Sequence, residues 1–268
     1  MEAAVEEHSG LGAFGPAYEV MFRNDSHFPG SVDRVLQERM VRVCAETADS
    51  IYARYTPTEV EYHRGTRPAL EGRVREAAGG LDRAHDCVCG IARFCSRLGE
   101  RASSKDEAMV LGGTEEEILR RGSEWCTDVA RVAVALFQVA GYPSRRIFLA
   151  DIEAAYSGHA IVEVYRDAVW GAVDPSTGVL YLQNGTPATT WDLMGDPAAV
   201  YSHGPAAYCQ PELFRAAAVS NYFVWESSSY DYRVSGLNEY YRSILEMADK
   251  GWPGGLRWLH GEAEVGGG

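Results

Sequence analysis

The chain of 268 residues is long enough for one large domain or two small ones with a buried core. Its hydrophobic fraction of 46% and charged fraction of 24% are typical of a globular protein, which excludes wholesale disorder and a fibrous architecture. Its formal charge of −13 would repel the phosphates of a nucleic acid and an anionic membrane surface. We therefore expect neither nucleic acid nor membrane as a partner.

The amino-terminal segment MEAAVEEHSG is acidic where a secretory signal would be basic. No later stretch approaches the ~18 apolar residues in a row that a membrane span needs. These features predict a cytoplasmic protein. Six cysteines are too few for a disulfide scaffold of this length and would stay reduced in the cytoplasm. Each cysteine is then either a core residue or part of a reactive site.

The first thirty residues mix glycine, proline and asparagine with scattered aromatic residues, and we expect them to be irregular. Apolar side chains then recur at helical spacing over 31–51, which predicts one long amphipathic helix that contains Cys44. A second such stripe over 81–98 predicts another helix, which ends before Gly99. These patterns make residues 1–111 a helical amino-terminal part.

The second helix carries four potential metal ligands: His85, Cys87, Cys89 and Cys95. A zinc site usually takes its ligands in pairs at C-x₂₋₄-C spacing, whereas residues two apart on one helix diverge by about 200°. A buried cysteine behaves as a small apolar residue. Packing is therefore favoured over a metal site for these side chains, as it is for Cys44, with the metal site as the alternative.

The middle of the chain changes from helical to strand patterns. A capping box at Thr114 and Glu117 predicts a short helix, and a second helix is predicted over 123–140. Three strands rich in β-branched and aromatic residues follow at 147–150, 159–165 and 169–174. Because no crossover helix separates these strands, the order indicates an α+β fold with an antiparallel sheet.

Cys126 differs from the other cysteines in its predicted position. With Ser123 as the N-cap, Cys126 lies at N3, in the first turn of a helix. Unpaired N–H groups and the helix dipole favour an anion there, and the thiolate is the nucleophilic form of cysteine. The backbone N–H of Cys126 could also donate to an oxyanion that forms during acyl transfer. Cys126 is therefore the candidate nucleophile.

A hairpin supplies the candidate base and its partner. If Arg166 and Asp167 form the turn, His159 and Asp174 lie directly opposite each other, with Cβ atoms ~4.5–5.5 Å apart. The carboxylate can then accept from one imidazole nitrogen and leave the other for a thiol. A slip of one residue would place the two on opposite faces of the sheet. Glu163 shares the predicted His159 face, as either a supporting residue or a solvated one.

Each of these residues also has a purely structural interpretation. Cys126 could be a core residue, His159 a hydrogen-bonded strand end, and Asp174 the cap of the turn that follows it. The predicted helix position and hairpin register nevertheless arrange all three residues as a catalytic triad requires. This agreement favours a shared catalytic role over three separate structural roles. The sequence therefore predicts a cysteine–histidine–aspartate triad.

Several blocks of this sequence resemble the transglutaminase-like superfamily, whose core pattern runs G-x-C-x-x-x-A, G-I-P-A-R, H-A-W-x-E-V and D-P-T. The matching blocks are GSEWCTDVA at 122–130, AGYPSR at 140–145, GHA at 158–160, EVY at 163–165 and VDPS at 173–176. The resemblance covers residues 112–182. The chain departs from the pattern with three residues between Gly122 and Cys126 and with Ile161 where tryptophan is usual.

The resemblance implies a papain-like core, in which the helix that carries the nucleophile packs on an antiparallel sheet and Cys126, His159 and Asp174 form the triad. It also implies acyl transfer through a thioester. Members of the superfamily include protein-crosslinking acyltransferases, peptidases, deglycosylating amidases and small-molecule acyl-transfer enzymes. The calcium sites of animal crosslinking enzymes have no counterpart in this sequence, so we expect no metal and no cofactor.

No proline- or serine-rich linker divides the chain, so we expect a single domain over 1–268. Within it, a catalytic core at 112–182 follows the helical part at 1–111 and precedes an aromatic-rich part at 183–260. The many aromatic residues between Tyr201 and Trp258 either fill the core, which is favoured, or line a substrate cleft.

Three functions remain open at this point. The first is a hydrolase that cleaves a small-molecule or peptide amide with water. The second is an N-acyltransferase or amide synthase with the same triad and an amine acceptor. The third is a binding module that has the fold without catalysis, against which the intact triad argues. Water exclusion and pocket shape would separate the first two, and the net charge of −13 weakly favours a neutral or cationic acceptor such as an amine.

Overall fold

The structure is a computed structural model that describes residues 40–52, 62–79, 84–108, 110, 112–151, 157–195, 201–203, 214 and 216–220. The helices are α1 (Ala45–Ile51), α2 (Pro68–Ala78), α3 (Ala84–Cys95), α4 (Lys105–Ala108), α5 (Glu115–Arg121), α6 (Cys126–Val139) and α7 (Thr190–Gly195), with a 3₁₀ turn at Gly99–Arg101. The strands are β1 (Met40–Val43), β2 (Ser144–Asp151), β3 (Ser157–Arg166), β4 (Val169–Asp174), β5 (Val179–Gln183), β6 (Thr186–Pro187), β7 (Tyr201–His203) and β8 (Ala216–Ser220).

The strands of the described residues form one antiparallel sheet. Their order is β1-β8-β2-β3-β4-β5-β6, and β7 pairs with β5. The long strands β2 and β3 lie at its centre and pair from Ser144 with Val164 to Asp151 with Ser157. Antiparallel strands that follow a series of helices confirm the predicted α+β class.

Helix α6 lies in the centre of the larger core. Every residue from Asp128 to Gln138 is buried, and a helix that is buried all round has to be covered on every side. Strands β2 and β3 cover one side of α6, and helices α2, α3 and α5 pack on the others. The first turn of α6 is therefore held by several elements at once.

A second, smaller core lies on the opposite face of the sheet. Side chains alternate along β3, so that Ala160 and Val162 face the larger core while Ile161 belongs to the smaller one. Helices α1 and α7 contribute Ile51 and Leu193 to this smaller core. The sheet is thus buried on both faces, and its residues are fixed from two sides.

Helix α3 confirms the second predicted helix in a shorter form, and Cys87, Cys89 and Cys95 are buried along it. Cys87 and Cys89 diverge around the helix axis, and both are buried because α2 and α6 both pack against α3. A Cβ at Gly90 would lie only 2.5 Å from the carbonyl oxygen of Ala77, so the close crossing of α2 and α3 requires glycine. Burial raises the pKa of all three thiols.

The first predicted helix is confirmed only in its last part, Ala45–Ile51, and is wrong at 40–44. Residues 40–43 form strand β1, which pairs with β8, and α1 begins only at Ala45. Cys44 is the N-cap of α1, with its N–H 3.1 Å from Oγ1 of Thr47, and is not part of a helical stripe. Pairing with a strand far along the chain overrides the local helical spacing here. The remainder of that helix, at 31–39, and the irregular first thirty residues lie outside the described residues.

Helix α2 was not predicted from the sequence. Its terminal signals are Pro68 at the first position, Glu71 in the first turn and Gly79 in a left-handed conformation at the end. Leu70 is its fully buried residue, so α2 has too thin an apolar stripe for a periodicity argument to detect.

None of the described helices is long and apolar enough to cross a membrane. Most of the aromatic-rich part predicted at 183–260 lies outside the described residues, and so does Cys209. The single-domain boundaries and the role of those aromatic residues stay predictions.

Candidate active site

Cys126 is the first residue of α6, with Trp125 as the N-cap. The prediction that Ser123 caps the helix and that Cys126 lies at N3 is wrong. The Ser123 hydroxyl instead accepts a hydrogen bond from the Trp125 N–H, at 3.1 Å, in a turn that precedes the helix. Cys126 is still in the first turn, where a backbone N–H has no acceptor within the helix. Its thiol is half-buried and not part of a disulfide.

Gly122 sets the path of the chain from α5 to Cys126. Its φ is +85°, and a Cβ there would lie 2.6 Å from the carbonyl oxygen of Leu98 and 2.7 Å from the amide nitrogen of Ala102. A side chain at this position would meet backbone on two sides. The close approach therefore requires glycine, and it fixes where the segment before α6 begins.

His159 on β3 and Asp174 on β4 are in contact, with Nε2 of His159 2.9 Å from Oδ2 of Asp174. The prediction that they pair directly opposite each other is wrong, because Arg166 pairs with Val169 and the register differs from the predicted one by two residues. A shift of two residues keeps both side chains on one face, since side chains alternate with a period of two. The two are diagonal neighbours, within reach of long side chains.

The turn of this hairpin explains the error in register. It is formed by Asp167 and Ala168, both with positive φ, at 53° and 65°. Positive φ at both central residues is the pattern of a type I′ turn, which usually takes asparagine or glycine. Alanine rarely adopts such a φ, so the sequence gives no signal that it occupies the turn.

Asp174 is held as a buried carboxylate, with the residue only 2% exposed. Its Oδ1 accepts a hydrogen bond of 2.9 Å from the backbone N–H of Ser176. Burial alone would raise the pKa of Asp174, but the charge of His159, its hydrogen bond and the Ser176 N–H together hold that pKa below its usual value. Asp174 therefore both caps the following turn, as in its structural interpretation, and contacts the imidazole.

His159 is connected to both of the other candidate residues. Burial alone would lower the pKa of His159, but the charge and hydrogen bond of Asp174 outweigh it. The nearby Cys126 side chain acts in the same direction as Asp174, so the pKa of His159 is well above its ordinary value. Since Nε2 is bonded to Asp174, Nδ1 is the nitrogen left for the thiol. The structure thus brings all three predicted residues together.

A buried ionic cluster that was not predicted from the sequence lies beside Cys126. Asp128, two residues after Cys126, accepts hydrogen bonds from the guanidinium of Arg121 at 2.9 Å and the backbone N–H of Gly112 at 3.0 Å. The hydroxyl of Ser123 lies 3.4 Å from the same carboxylate. An aspartate in the first turn of an apolar helix was the available signal, because such a helix has few other reasons to bury a carboxylate.

Glu163 belongs to another cluster. It is fully buried, which excludes the solvated interpretation. Its carboxylate accepts hydrogen bonds from Arg145 at 2.8 Å, from the Tyr52 hydroxyl at 2.9 Å and from the Thr190 N–H at 2.8 Å. Because these partners come from β2, from α7 and from the C-cap of α1, Glu163 ties the elements of the smaller core to the sheet. It shares the face of His159 without belonging to the triad contacts.

No group of three His, Cys, Asp or Glu side chains within the described part of the chain could hold a metal ion. Of the four potential ligands on α3, the side chain of His85 lies outside that part. The expectation that the site needs no metal or cofactor stays a prediction.

No protein-family model matches the chain, and no curated protein matches it. The chain is similar to the crystal structure of a protein described as a "putative cysteine protease" from Cytophaga hutchinsonii. Their sequence identity is 17% and the TM-score is 0.33, over 68% of this chain and 60% of that one. The chain therefore spans less than two thirds of that protein, and a TM-score this low carries no argument about function. The interpretation of the site depends on its geometry.

Proposed function

We propose that this chain is a cysteine-dependent enzyme that acts on an amide or acyl substrate through a thioester. Cys126 is the nucleophile, His159 the general base and then acid, and Asp174 the residue that orients His159. The observation that carries the proposal is the 2.9 Å contact between His159 and Asp174, together with the influence of Cys126, a cysteine at a helix N-terminus, on the raised pKa of His159. The resemblance to the transglutaminase-like superfamily and its papain-like core supports the same assignment.

The first half-reaction forms the acyl-enzyme. His159 takes the proton of the Cys126 thiol, and the thiolate sulfur attacks the carbonyl carbon of the substrate. The electron pair of the carbonyl bond moves to its oxygen, and the backbone N–H of Cys126 donates to that oxyanion. When the tetrahedral intermediate collapses, the carbon–nitrogen bond breaks and the leaving amine takes a proton from the His159 imidazolium. The products are a thioester on Cys126 and a free amine.

The second half-reaction releases the acyl group. Neutral His159 removes a proton from the acceptor, whose oxygen or nitrogen then attacks the thioester carbon. The carbon–sulfur bond breaks, the thiolate leaves, and His159 holds the proton again. Water as the acceptor gives a carboxylic acid, whereas an amine gives a new amide. The same residues therefore support hydrolysis and transfer.

Asp174 contributes through the charge of the imidazolium. The buried carboxylate, 2.9 Å from Nε2, stabilises the imidazolium. In the neutral ring it keeps the proton on Nε2, which leaves Nδ1 to accept the proton of Cys126. The imidazolium in turn stabilises the thiolate. This matches the raised pKa of His159 and the lowered pKa of Asp174, since each group favours the charged form of the other.

The substrate in this proposal is a small-molecule or peptide amide, and the acceptor is water or an amine. The net charge of −13 favours a neutral or cationic acceptor, so an amine is the second candidate. Neither route in this scheme requires a metal ion or a cofactor.

A trapping experiment tests the proposal. The protein is incubated with a panel of activated acyl donors and amides, quenched in acid and analysed by intact and peptide mass spectrometry. We expect an acyl adduct on Cys126 that is absent from Cys126→Ala and that decays after water or amine is added, with the product identifying the acceptor. Cys44→Ala is the matched control and should keep the adduct. Equal acylation of Cys126 in wild type and His159→Gln would overturn the assignment in favour of a binding module.

A further inference from the structure

The buried carboxylate of Asp128 has polar partners from several parts of the chain. Asp128 is 3% exposed and lies two residues after the nucleophile. Its partners are the backbone N–H of Gly112, the guanidinium of Arg121 and the hydroxyl of Ser123. These come from the loop before α5, the end of α5 and the turn before α6. Three separate segments therefore meet at the first turn of α6.

This cluster is costly as an ion pair. Burial is the largest influence on both groups: it raises the pKa of Asp128 and lowers the pKa of Arg121, and neither partner fully offsets it. Both shifts favour the uncharged form. In addition, Nε of Arg121 is buried with no hydrogen-bond partner among the described residues. A buried pair of this kind is weak evidence for stability, so its role is better sought in what it fixes in place.

The contacts of the cluster determine where α6 begins. Arg121 also donates to the carbonyl oxygen of Val110, at 2.8 Å, so it joins the segment before α5 and the end of α5 to the first turn of α6. Ser123 contacts Asp128 and accepts from the Trp125 N–H, which places the N-cap immediately before Cys126. The direction of the Cys126 thiol and of its backbone N–H depends on this start point.

We propose that Asp128 is a positioning residue for Cys126: its bonds to Gly112, Arg121 and Ser123 hold the first turn of α6 so that the thiol meets His159. This inference rests on the proposed function, in which Cys126 is the nucleophile. In this role Asp128 neither binds substrate nor takes a proton in the reaction. Its effect passes through the geometry of the nucleophile, where a displacement of about 1 Å can cost ~100-fold in rate.

The test compares Asp128→Asn with Glu115→Gln, which disrupts another buried ion pair between the same two helices, α5 and α6. Glu115 accepts from Arg131 of α6 at 2.8 Å, more than a turn beyond Cys126, and both side chains are at most 1% exposed. Each variant is assayed for the rate of Cys126 alkylation by iodoacetamide at neutral pH and for amide hydrogen exchange in residues 126–130. We expect Asp128→Asn to slow alkylation by roughly 10–100-fold and to speed exchange in that turn, with Glu115→Gln close to wild type in both.

A double variant separates positioning from stability. Asp128→Asn with Arg121→Met removes both charges, which commonly restores the stability lost when one partner of a buried pair is left alone. We expect the double variant to fold by circular dichroism and still to alkylate slowly. Recovery of the wild-type alkylation rate in the double variant, or equal slowing in Asp128→Asn and Glu115→Gln, would overturn the positioning role. If wild-type Cys126 reacts no faster than in His159→Gln, the proposed function itself fails and the positioning role fails with it.

Discussion

Helices α3 and α6 pack against each other and carry cysteines in opposite electrostatic positions. Cys95 is the last residue of α3, where the helix dipole disfavours an anion, and it is 1% exposed with a pKa raised by burial. Cys126 is the first residue of α6, where the dipole favours an anion, and it is half-buried and close enough to His159 to raise the pKa of the imidazole. In the proposed function, the end of the helix and the neighbouring side chain, and not the residue type, separate a structural thiol from a reactive one.

The largest expected effect is the difference in reactivity between these two thiols. We expect iodoacetamide at neutral pH to label Cys126 at least ~100-fold faster than Cys95 in the native protein, because the thiolate is the reactive form and Cys95 is both buried and protonated. Peptide mass spectrometry at timed intervals gives both rates in one sample. Labelling in denaturant is the control and should bring the two rates together. Similar native rates would show that the two helix ends do not differ chemically.

Substitution of Cys95 should reduce the stability of the fold more than substitution of Cys126, the reverse of their order in reactivity. Cys95→Ser places a hydroxyl in an apolar, fully buried site, and we expect it to lower the free energy of unfolding by about 1–3 kcal/mol. Cys126→Ser changes a half-buried side chain and should cost clearly less. Urea unfolding followed by circular dichroism measures both variants. If Cys126→Ser destabilises the protein as much as Cys95→Ser does, Cys126 is a packing residue.

Removal of the Asp174 carboxylate should reduce the difference in alkylation rate between Cys126 and Cys95 without abolishing it. In Asp174→Asn the imidazolium loses its ionic partner, so His159 is a weaker acceptor for the Cys126 proton and alkylation of Cys126 at neutral pH should slow by about tenfold. Asp167→Asn is the matched control, because Asp167 is an exposed aspartate in the turn of the same hairpin and asparagine tolerates its positive φ. An unchanged alkylation rate in Asp174→Asn would show that the carboxylate does not contribute to the reactivity of Cys126.

The sequence predicts the candidate site better than it predicts its surroundings. Cys126, His159 and Asp174 meet although both geometric arguments for them contain an error. The N-cap is Trp125 and not Ser123, a difference of two residues that leaves Cys126 in the first turn of the helix. The hairpin register differs by two residues, which leaves His159 and Asp174 on one face. A first-turn position tolerates an error of one or two residues in the helix start, whereas a strand face survives a register error only when it is an even number of residues, as it is here.

Long-range contacts account for most of what the sequence could not predict. Strand β1 takes its conformation from pairing with β8, and no local pattern at 40–43 indicates that partner. The burial of Asp128 and Glu163 likewise depends on donors from distant segments, Gly112 and Arg121 for one and Tyr52 and Thr190 for the other. A single charged residue in an apolar element is the trace that such clusters leave in a sequence.

The smallest expected effect is the pH dependence of stability that comes from the His159–Asp174 pair. The raised pKa of His159 means that its contribution is fully present below its unfolded value of about 6.5 and is lost as the pH rises through the folded value. The lowered pKa of Asp174 means that its contribution is present above about 3.9 and is lost as the pH falls through the folded value. The pair should therefore stabilise the fold most between about pH 4 and 6.5.

Thermal unfolding of Cys126→Ser with and without His159→Gln tests this sign, since the background variant removes the contribution of the thiolate. We expect the unfolding temperature to fall by a few degrees on substitution of His159 at mildly acidic pH, and by less at alkaline pH, where the imidazole is neutral in both states. A difference that grows toward alkaline pH would mean that His159 is buried in its neutral form. Such a histidine would be unable to hold the thiolate, and the contrast between the starts and ends of the two helices would then rest on the helix dipoles alone.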